Sequence, residues 1–278
     1  MTGTLYIVAT PIGNLEDLSN RANKTLTEVN FIVAEDTRRT RRLLTHIGCK
    51  KKILSLHKFN EEKIVKRIIK NIKSGDNVAL VCDAGTPLVS DPGYLLVCAA
   101  HENNISVSPV PGPSAAIAAL SVAGIPAIRF CFEGFLPPKR TARIKILERL
   151  SIEDRTIIIF EAVHRIKESL EDIVQIFGSD RKAFIGRELT KLHEQCINKP
   201  LGQLLEKIKS GAIPQKGEFV IVINGITKKN QFSHEVDYLL KVLNKYLSAK
   251  DASRIASEIS GIKRNILYEE ILKLNKVI

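Results

Sequence analysis

Short apolar runs rich in Val and Ile recur along most of this chain, separated by segments with one apolar helical face. The runs cover Leu5 to Ala9, Phe31 to Ala34, Val78 to Cys82, Ile105 to Val110, Phe130 to Phe135, Thr156 to Phe160, Ala183 to Gly186 and Glu218 to Ile223. A continuous apolar run of this length suits a strand covered on both faces. Such strands alternating with amphipathic helices predict an α/β fold.

Helix boundaries are legible between the runs. Asn60 is placed to cap a helix whose Ile64, Val65, Ile68, Ile69 and Ile72 form one stripe ending at Gly75. Asp91 and Pro92 read as cap and first helical residue ahead of Tyr94, Leu95, Leu96 and Val97. Ser114 to Val122 reads as a small-residue helix that can pack closely. The Pro- and Gly-punctuated passage from Pro109 to Pro126 puts a boundary mid-chain. The expected organisation is therefore an α/β domain over 1–113, a second over 114–225 with a ligand cleft between the two, and a helical tail over 226–278. In that tail, Lys250 to Leu272 with Gly261 between two short helices fits a helix-turn-helix or a plain three-helix module.

Composition excludes several classes. The cysteines Cys49, Cys82, Cys98, Cys131 and Cys196 are scattered, odd in number and never spaced Cys-x-x-Cys, which argues against a disulfide framework or a zinc site. No close histidine pair is present, so no metal is expected. No apolar run nears the roughly 18 residues of a membrane span, and the first residues show no export signal, so a cytoplasmic protein without membrane contact is expected. The formal net charge of +12 is partly diffuse lysine, but Arg38, Arg39, Arg41 and Arg42, followed by Lys50, Lys51 and Lys52, form a basic block with no acid between Arg38 and Lys52. That block suits a phosphate-facing surface.

Three strand ends carry loops suited to a ligand. The first run hands over to Thr10-Pro11-Ile12-Gly13-Asn14, a turn where open α/β sheets bind ligands. It is neither a dinucleotide fingerprint nor a phosphate-binding P-loop. After Val78 to Cys82 comes Asp83-Ala84-Gly85-Thr86-Pro87, a small kinked loop whose amides can approach a ligand and whose acid can accept hydrogen bonds from a nucleoside or from its own loop. After Ile105 to Val110 comes Pro111-Gly112-Pro113-Ser114-Ala115, rigid and small enough to admit a flat ligand.

These loops, with Leu5 to Leu15, Ala34-Glu35-Asp36-Thr37-Arg38, Asp83 to Gly93, Phe132 to Pro137 and Arg187-Glu188-Leu189-Thr190-Lys191, resemble the signatures of the ribosomal RNA small subunit methyltransferase I family, in the tetrapyrrole methylase superfamily. The resemblance runs through about Asn224, and the tail is similar to the family's small C-terminal domain. It implies two α/β domains of the tetrapyrrole methylase (class III methyltransferase) type. S-adenosyl-L-methionine would lie between them, and its methyl would pass to a cytidine ribose 2′-hydroxyl in 16S ribosomal RNA. The implied cofactor residues are Pro11 and Gly13 on the first loop, Asp83, Ala84, Gly85 and Thr86 on the second, and Pro113, Ser114 and Ala115 on the third. Two departures stand out: Cys82 where the family usually has Ser, and Val163 where Pro commonly precedes the His-Arg pair, here His164-Arg165.

A ribose hydroxyl is a poor nucleophile until deprotonated, so a base is expected near the cleft. Glu35, Asp36 and His164 are candidates, and Arg187, Glu188 and Lys191 form a further constellation in which a cation would stabilise a developing alkoxide. The bland alternative is ion pairing of Glu35 and Asp36 with Arg38, and of Glu188 with Arg187. RNA contact is expected from Arg38, Arg39, Arg41, Arg42 and Arg165, with Lys139 and Arg140 as further candidates, on free 16S RNA or the assembled small subunit. Superfamily relatives often work as homodimers, which would widen the basic surface. Two rivals remain: a methyltransferase on a tetrapyrrole, which fits the basic block poorly, and a non-enzymatic nucleic-acid-binding protein built on the tail, which leaves the loops unexplained.

Overall fold

The computed structural model describes residues 2–57, 61–226 and 234–276. The expected cap at Asn60 lies outside them. Two compact units emerge, one of residues 1–150 with 155–224, the other of 151–154 with 225–278.

The first unit opens with β1 (Thr4–Val8), α1 (Asn20–Glu28), β2 (Phe31–Ala34), α2 (Thr37–His46), β3 (Lys52–Ser55), α3 (Glu61–Lys73), β4 (Val78–Val81), α4 (Tyr94–Glu102) and β5 (Ser106–Val110). The five strands form one parallel sheet in the order β3-β2-β4-β1-β5. Successive side chains on a strand face opposite ways. Accordingly Val33 and Leu80 join Ile68, Ile72 and Leu96 of α3 and α4, while their neighbours Ile32 and Ala79 join Leu26 and Leu44 of α1 and α2. Burial on both faces explains why β2 and β4 read as unbroken apolar runs.

Next come α5 (Ala115–Val122), β6 (Phe130–Phe135), α6 (Arg140–Ser151), β7 (Thr156–Glu161), α7 (Ile166–Phe177), β8 (Lys182–Arg187), β9 (Gln195–Pro200), α8 (Leu201–Lys209) and β10 (Phe219–Ile223). A mixed sheet results, in the order β6-β7-β10-β8-β9, with only β6 and β7 parallel. Leu147, Leu170 and Leu204 of α6, α7 and α8 cover one face. The other face takes α5: Ala116, Ala119 and Leu120 pack on Ile158, Phe184, Val220 and Val222. Only small side chains let the helix come this close.

Two features differ from the sequence reading. The edge strands β3 and β9 were not anticipated, because Lys-Ile-Leu-Ser and Gln-Cys-Ile-Asn-Lys-Pro are short and partly polar, as edges that must not pair further tend to be. And Asp91-Pro92 does not start α4. Gly93 is the cap, at φ 125°, where an added Cβ would meet Leu80 Cδ2 at 2.6 Å. Capping is supplied from another helix: Glu61 Oε1 accepts from Gly93 N and Leu95 N, each at 3.1 Å. Asp91 lines the cavity described below.

The second unit contains α9 (His234–Tyr246), α10 (Ala249–Ser260) and α11 (Arg264–Lys276) around Leu240, Ala252, Ala256, Leu267 and Ile271. Ser248 caps α10, and Gly261, left-handed at φ 68°, ends it. Among the described residues no helix is long and apolar enough to cross a membrane.

Candidate active site

The carboxyl ends of β1, β4 and β5 converge, and their loops are knit together. Thr10 and Gly85 exchange two backbone hydrogen bonds (Thr10 N to Gly85 O 2.9 Å, Gly85 N to Thr10 O 3.0 Å). Thr86 Oγ1 donates to Pro113 O at 3.1 Å, tying the second loop to the third. Gly85, at φ 86°, packs on Ile12. Cys82 fits in place of the usual Ser: its Sγ lies 3.3 Å from both Ala84 O and Gly85 O. Burial, with Asp91 adding to it, pushes the thiol pKa far up, so it stays neutral.

Facing these loops are Phe135 at the end of β6, Phe160 to Val163 at the end of β7, and Gly217 to Val220 at the start of β10. The antiparallel pairing of β7 with β10 brings the last two segments side by side. Between the walls lies a cavity of about 370 Å³, also lined by Asp83, Ala84, Thr86, Ser90, Ser114 and Ala115. This is the size and mixed lining of a small-molecule site. Phe160 meets Phe132 and Phe135 edge-on at 4.8 and 5.6 Å. A smaller pocket of about 140 Å³ adjoins it, lined by Thr10, Pro11, Leu15, Arg39, Thr40 and Arg42, and the two share Arg39 and Asp83.

The loop residues are distributed as follows. Asp83, Ala84, Gly85, Thr86, Ser114 and Ala115 line the larger cavity, and Pro11 lines the smaller. Gly13 lines neither. It sits against the 189–191 loop, where a Cβ would strike the Lys191 side chain and lie 2.7 Å from Thr190 Oγ1. Pro113 contributes its carbonyl to Thr86.

The proposed acid, base and cation residues are less united. Asp36 caps α2, accepting from Arg38 N at 2.8 Å and from the Arg38 guanidinium at 3.1 and 2.7 Å. The Arg38 contacts hold its carboxyl well below the usual range. Glu35 precedes it, its carbonyl accepting from Ser55 Oγ. Neither lines the cavity. Glu188, in a left-handed turn at φ 51°, accepts from Lys191 Nζ at 2.8 Å and from Glu218 N at 3.0 Å; Lys191 also donates to Glu218 Oε2 at 2.9 Å. Burial alone would raise the Glu188 pKa and lower that of Lys191, but this pairing wins and moves each the other way.

Two arginines differ from expectation. Arg187 does not face a developing charge: it is buried, donating to Lys216 O, His193 O and Gln195 Oε1 as a staple of its own loops. Arg165 does not face outward to RNA; its side chain is 15% exposed and is held by Glu161 at 2.6 Å and by Leu136 O at 2.8 Å. An inward partner outbids solvent in each case. His164 is exposed beside cavity-lining Val163, and Arg38, Arg39, Arg41 and Arg42 lie exposed on α2.

Sequence reasoning missed Ile12, Ser90, Asp91, Phe135, Glu161 and Glu218 as cavity residues. For Glu161 a signal existed, since a charge ending a run of buried β-branched residues needs a reason. Among the described residues, no group of three or more His, Cys, Asp or Glu side chains is placed to hold a metal ion.

Residues 4–205 match the family model described as Tetrapyrrole (Corrin/Porphyrin) Methylases, and residues 230–275 that described as RsmI C-terminal HTH domain. The chain is 50% identical to Ribosomal RNA small subunit methyltransferase I of Xylella fastidiosa (strain Temecula1), covering 96% of this chain and 98% of that one. The chain belongs to the ribosomal RNA small subunit methyltransferase I family. A member from Escherichia coli O157:H7 is 45% identical, covering 98% of this chain and 95% of its own. A crystal structure of uroporphyrin-III-C-methyltransferase from Thermus thermophilus shares the fold, with a TM-score of 0.57 at 19% identity over 80% of this chain and 94% of that one. The chain is thus a methyltransferase of the tetrapyrrole methylase fold with a C-terminal helical domain, and methyltransferases of this family use S-adenosyl-L-methionine.

Proposed function

We propose that this chain transfers the methyl of S-adenosyl-L-methionine, held in the larger cavity, to the 2′-hydroxyl of a cytidine in 16S ribosomal RNA. The observation that carries the reading is the sharing of Arg39 and Asp83 between that cavity and the pocket on the arginine helix. A nucleotide whose phosphates are held by Arg39 and Arg42 would have its sugar beside the cavity. A carboxylate-rich tetrapyrrole would also draw cations, but around an enclosed pocket, whereas the four arginines of α2 stand exposed within ten residues.

The cavity fits the methyl donor by its chemistry. Asp83, Thr86, Ser90 and Ser114 provide acceptors for hydroxyl and amino groups, while Phe135, Phe160 and Phe219 provide an apolar wall. The bound cofactor supplies an electrophilic methyl, so the protein's tasks are to align the hydroxyl, exclude water and take one proton. With Asp36 held by Arg38 and Glu188 by Lys191, His164 beside Val163 is the acceptor assigned here. Exposed Lys250, Arg254, Lys263 and Arg264 of the helical domain offer phosphate contacts of their own. The same reading has the chain act in the cytoplasm as a homodimer; Ile117, Val122 and Ile128 are large apolar side chains left at the surface.

A radiolabelled methyl-transfer assay tests this, offering assembled small subunits, naked ribosomal RNA and a tetrapyrrole precursor side by side. Label is expected in RNA, in an alkali-resistant dinucleotide because a 2′-O-methyl group blocks cleavage. Label appearing only in the tetrapyrrole would overturn the assignment.

A further inference from the structure

Helix α3 is apolar on the face against the sheet and basic on the face toward solvent. Val65, Ile68, Ile69 and Ile72 are buried in the core. Beyond Glu62, every exposed residue of the helix is a cation: Lys63, Lys66, Arg67, Lys70 and Lys73. Steps of three and four residues put these on one stripe, about 15 Å long at 1.5 Å per residue. Among the described residues, none of the five is in an ion pair.

Folding gives no reason for this stripe. Lys63 stands three and four residues from Lys66 and Arg67, and Lys70 stands at the same spacings from Arg67, Lys66 and Lys73, so like charges repel along the helix. Lys63, in the first turn, also meets the positive end of the helix dipole. A lysine-rich composition does not account for it either, because cations elsewhere stand beside acids: Lys209 near Glu171 and Glu206, Arg149 near Glu133, and Arg254 near Asp251.

Position and chemistry point to phosphate. The edge strand β3 sits between the two basic helices, its Leu54 packing into the α3 side of the sheet and its Ile53 into the α2 side. No large apolar side chain of α3 is exposed. The stripe therefore lacks the anchors of a protein interface and any ring on which an unpaired base would stack. The helix's apolar face is already covered by the sheet, which leaves none to enter a membrane surface. A row of unpaired point charges suits the sugar-phosphate backbone of RNA.

We propose that the α3 stripe is a second RNA-binding surface, gripping the phosphate backbone of ribosomal RNA on a stretch apart from the nucleotide at the cavity. The proposal rests on the reading that the chain acts on RNA. Such a grip positions the substrate without reading its bases and is steeply salt-dependent.

Filter binding of naked 16S ribosomal RNA and of assembled small subunits across a salt series tests it on the full chain. The variant Lys66→Gln/Arg67→Gln/Lys70→Gln is compared with Lys145→Gln/Lys182→Gln/Lys199→Gln, which removes the same charge from exposed positions of α6, β8 and β9. The α3 variant should bind naked RNA about tenfold or more weakly near physiological salt, with the salt slope reduced by about two, while the control stays close to wild type. Relief of repulsion should leave its melting temperature no lower than wild type, and its affinity for S-adenosyl-L-methionine should be unchanged. Should the triple variant fail to fold, Lys66→Gln and Lys70→Gln alone should each lower the slope by about one. Unchanged slopes, or an equal loss in the control, overturn the proposal. So does a loss confined to assembled subunits with naked RNA bound as before, which assigns the stripe to a protein of the subunit. Wild-type failure to bind ribosomal RNA at all instead defeats the RNA reading and the proposal with it.

Discussion

Arg39 Nε lies 3.4 Å from Asp83 Oδ2, and Asp83 Oδ1 accepts from Asp36 N at 3.0 Å. The acid of the second loop is thus oriented by the first turn of the arginine helix, from two sides. Arg39 is 58% exposed, so the pair adds little to stability, about 0–1 kcal/mol. Its consequence is geometric: the arginine proposed to hold RNA phosphate also aims the acid that lines the larger cavity.

Asp83→Asn keeps the shape of this junction but replaces one acceptor oxygen with a donor. Calorimetry should show S-adenosyl-L-methionine binding about tenfold to hundredfold weaker, with the thermal melt nearly unmoved. Unchanged binding would remove Asp83 from the site.

The α2 arginines should separate into two kinds. Arg41→Gln and Arg42→Gln should weaken RNA binding and reduce its salt dependence by about one unit of slope each, leaving cofactor affinity alone. Arg39→Gln should lower both affinities. Filter binding across a salt series, paired with calorimetry, reads this directly.

His164→Asn should cost about 100-fold or more in kcat, the usual scale for loss of a general base, without weakening cofactor binding. Single-turnover transfer, paired with calorimetry of S-adenosyl-L-methionine binding, checks it: a variant that keeps the wild-type transfer rate would remove His164 from the reaction.

Gly13→Ala has no room. The new Cβ faces Thr190 Oγ1 at 2.7 Å and Leu189 O at 3.0 Å, so loops must part, with a loss of about 1–3 kcal/mol in urea unfolding. The Asn14 N to Thr190 Oγ1 bond, now 3.2 Å, should be lost with it.

Glu188 has its pKa depressed below 4.5 in the fold, so its pairing stabilises fully above the unfolded value and is lost as pH falls through the folded one. Lys191, raised above 10.5, contributes fully below that value and loses its share as pH rises through the folded pKa. Wild type should therefore outlast Glu188→Gln in thermal melts across the neutral range, and the gap should close below about pH 4.5. A gap independent of pH would mean that the pairing is not its source.

How much of this was legible follows from what each residue responds to. The central strands and α5 were readable because burial on two faces, or close packing on a sheet, demands a run of one residue type. The three loops that border the cavities were readable because they follow those strands. The edge strands escaped because their polar sequence reflects what must not pair, which looks the same as a loop.

What the chain determined by itself is therefore local and repetitive: the α/β rhythm, the loops after β1, β4 and β5, and the basic stripe of α2. Tertiary structure alone decided which polar groups face what. Glu61 caps a helix across 32 positions of sequence, Arg165 and Arg187 turn inward, Asp36 spends its charge on Arg38, and Glu161 is left with one empty oxygen. The reason is physical. Apolar burial is non-directional and leaves its trace as a pattern in sequence, whereas a hydrogen bond or ion pair is decided within an ångström by partners the fold brings from far along the chain.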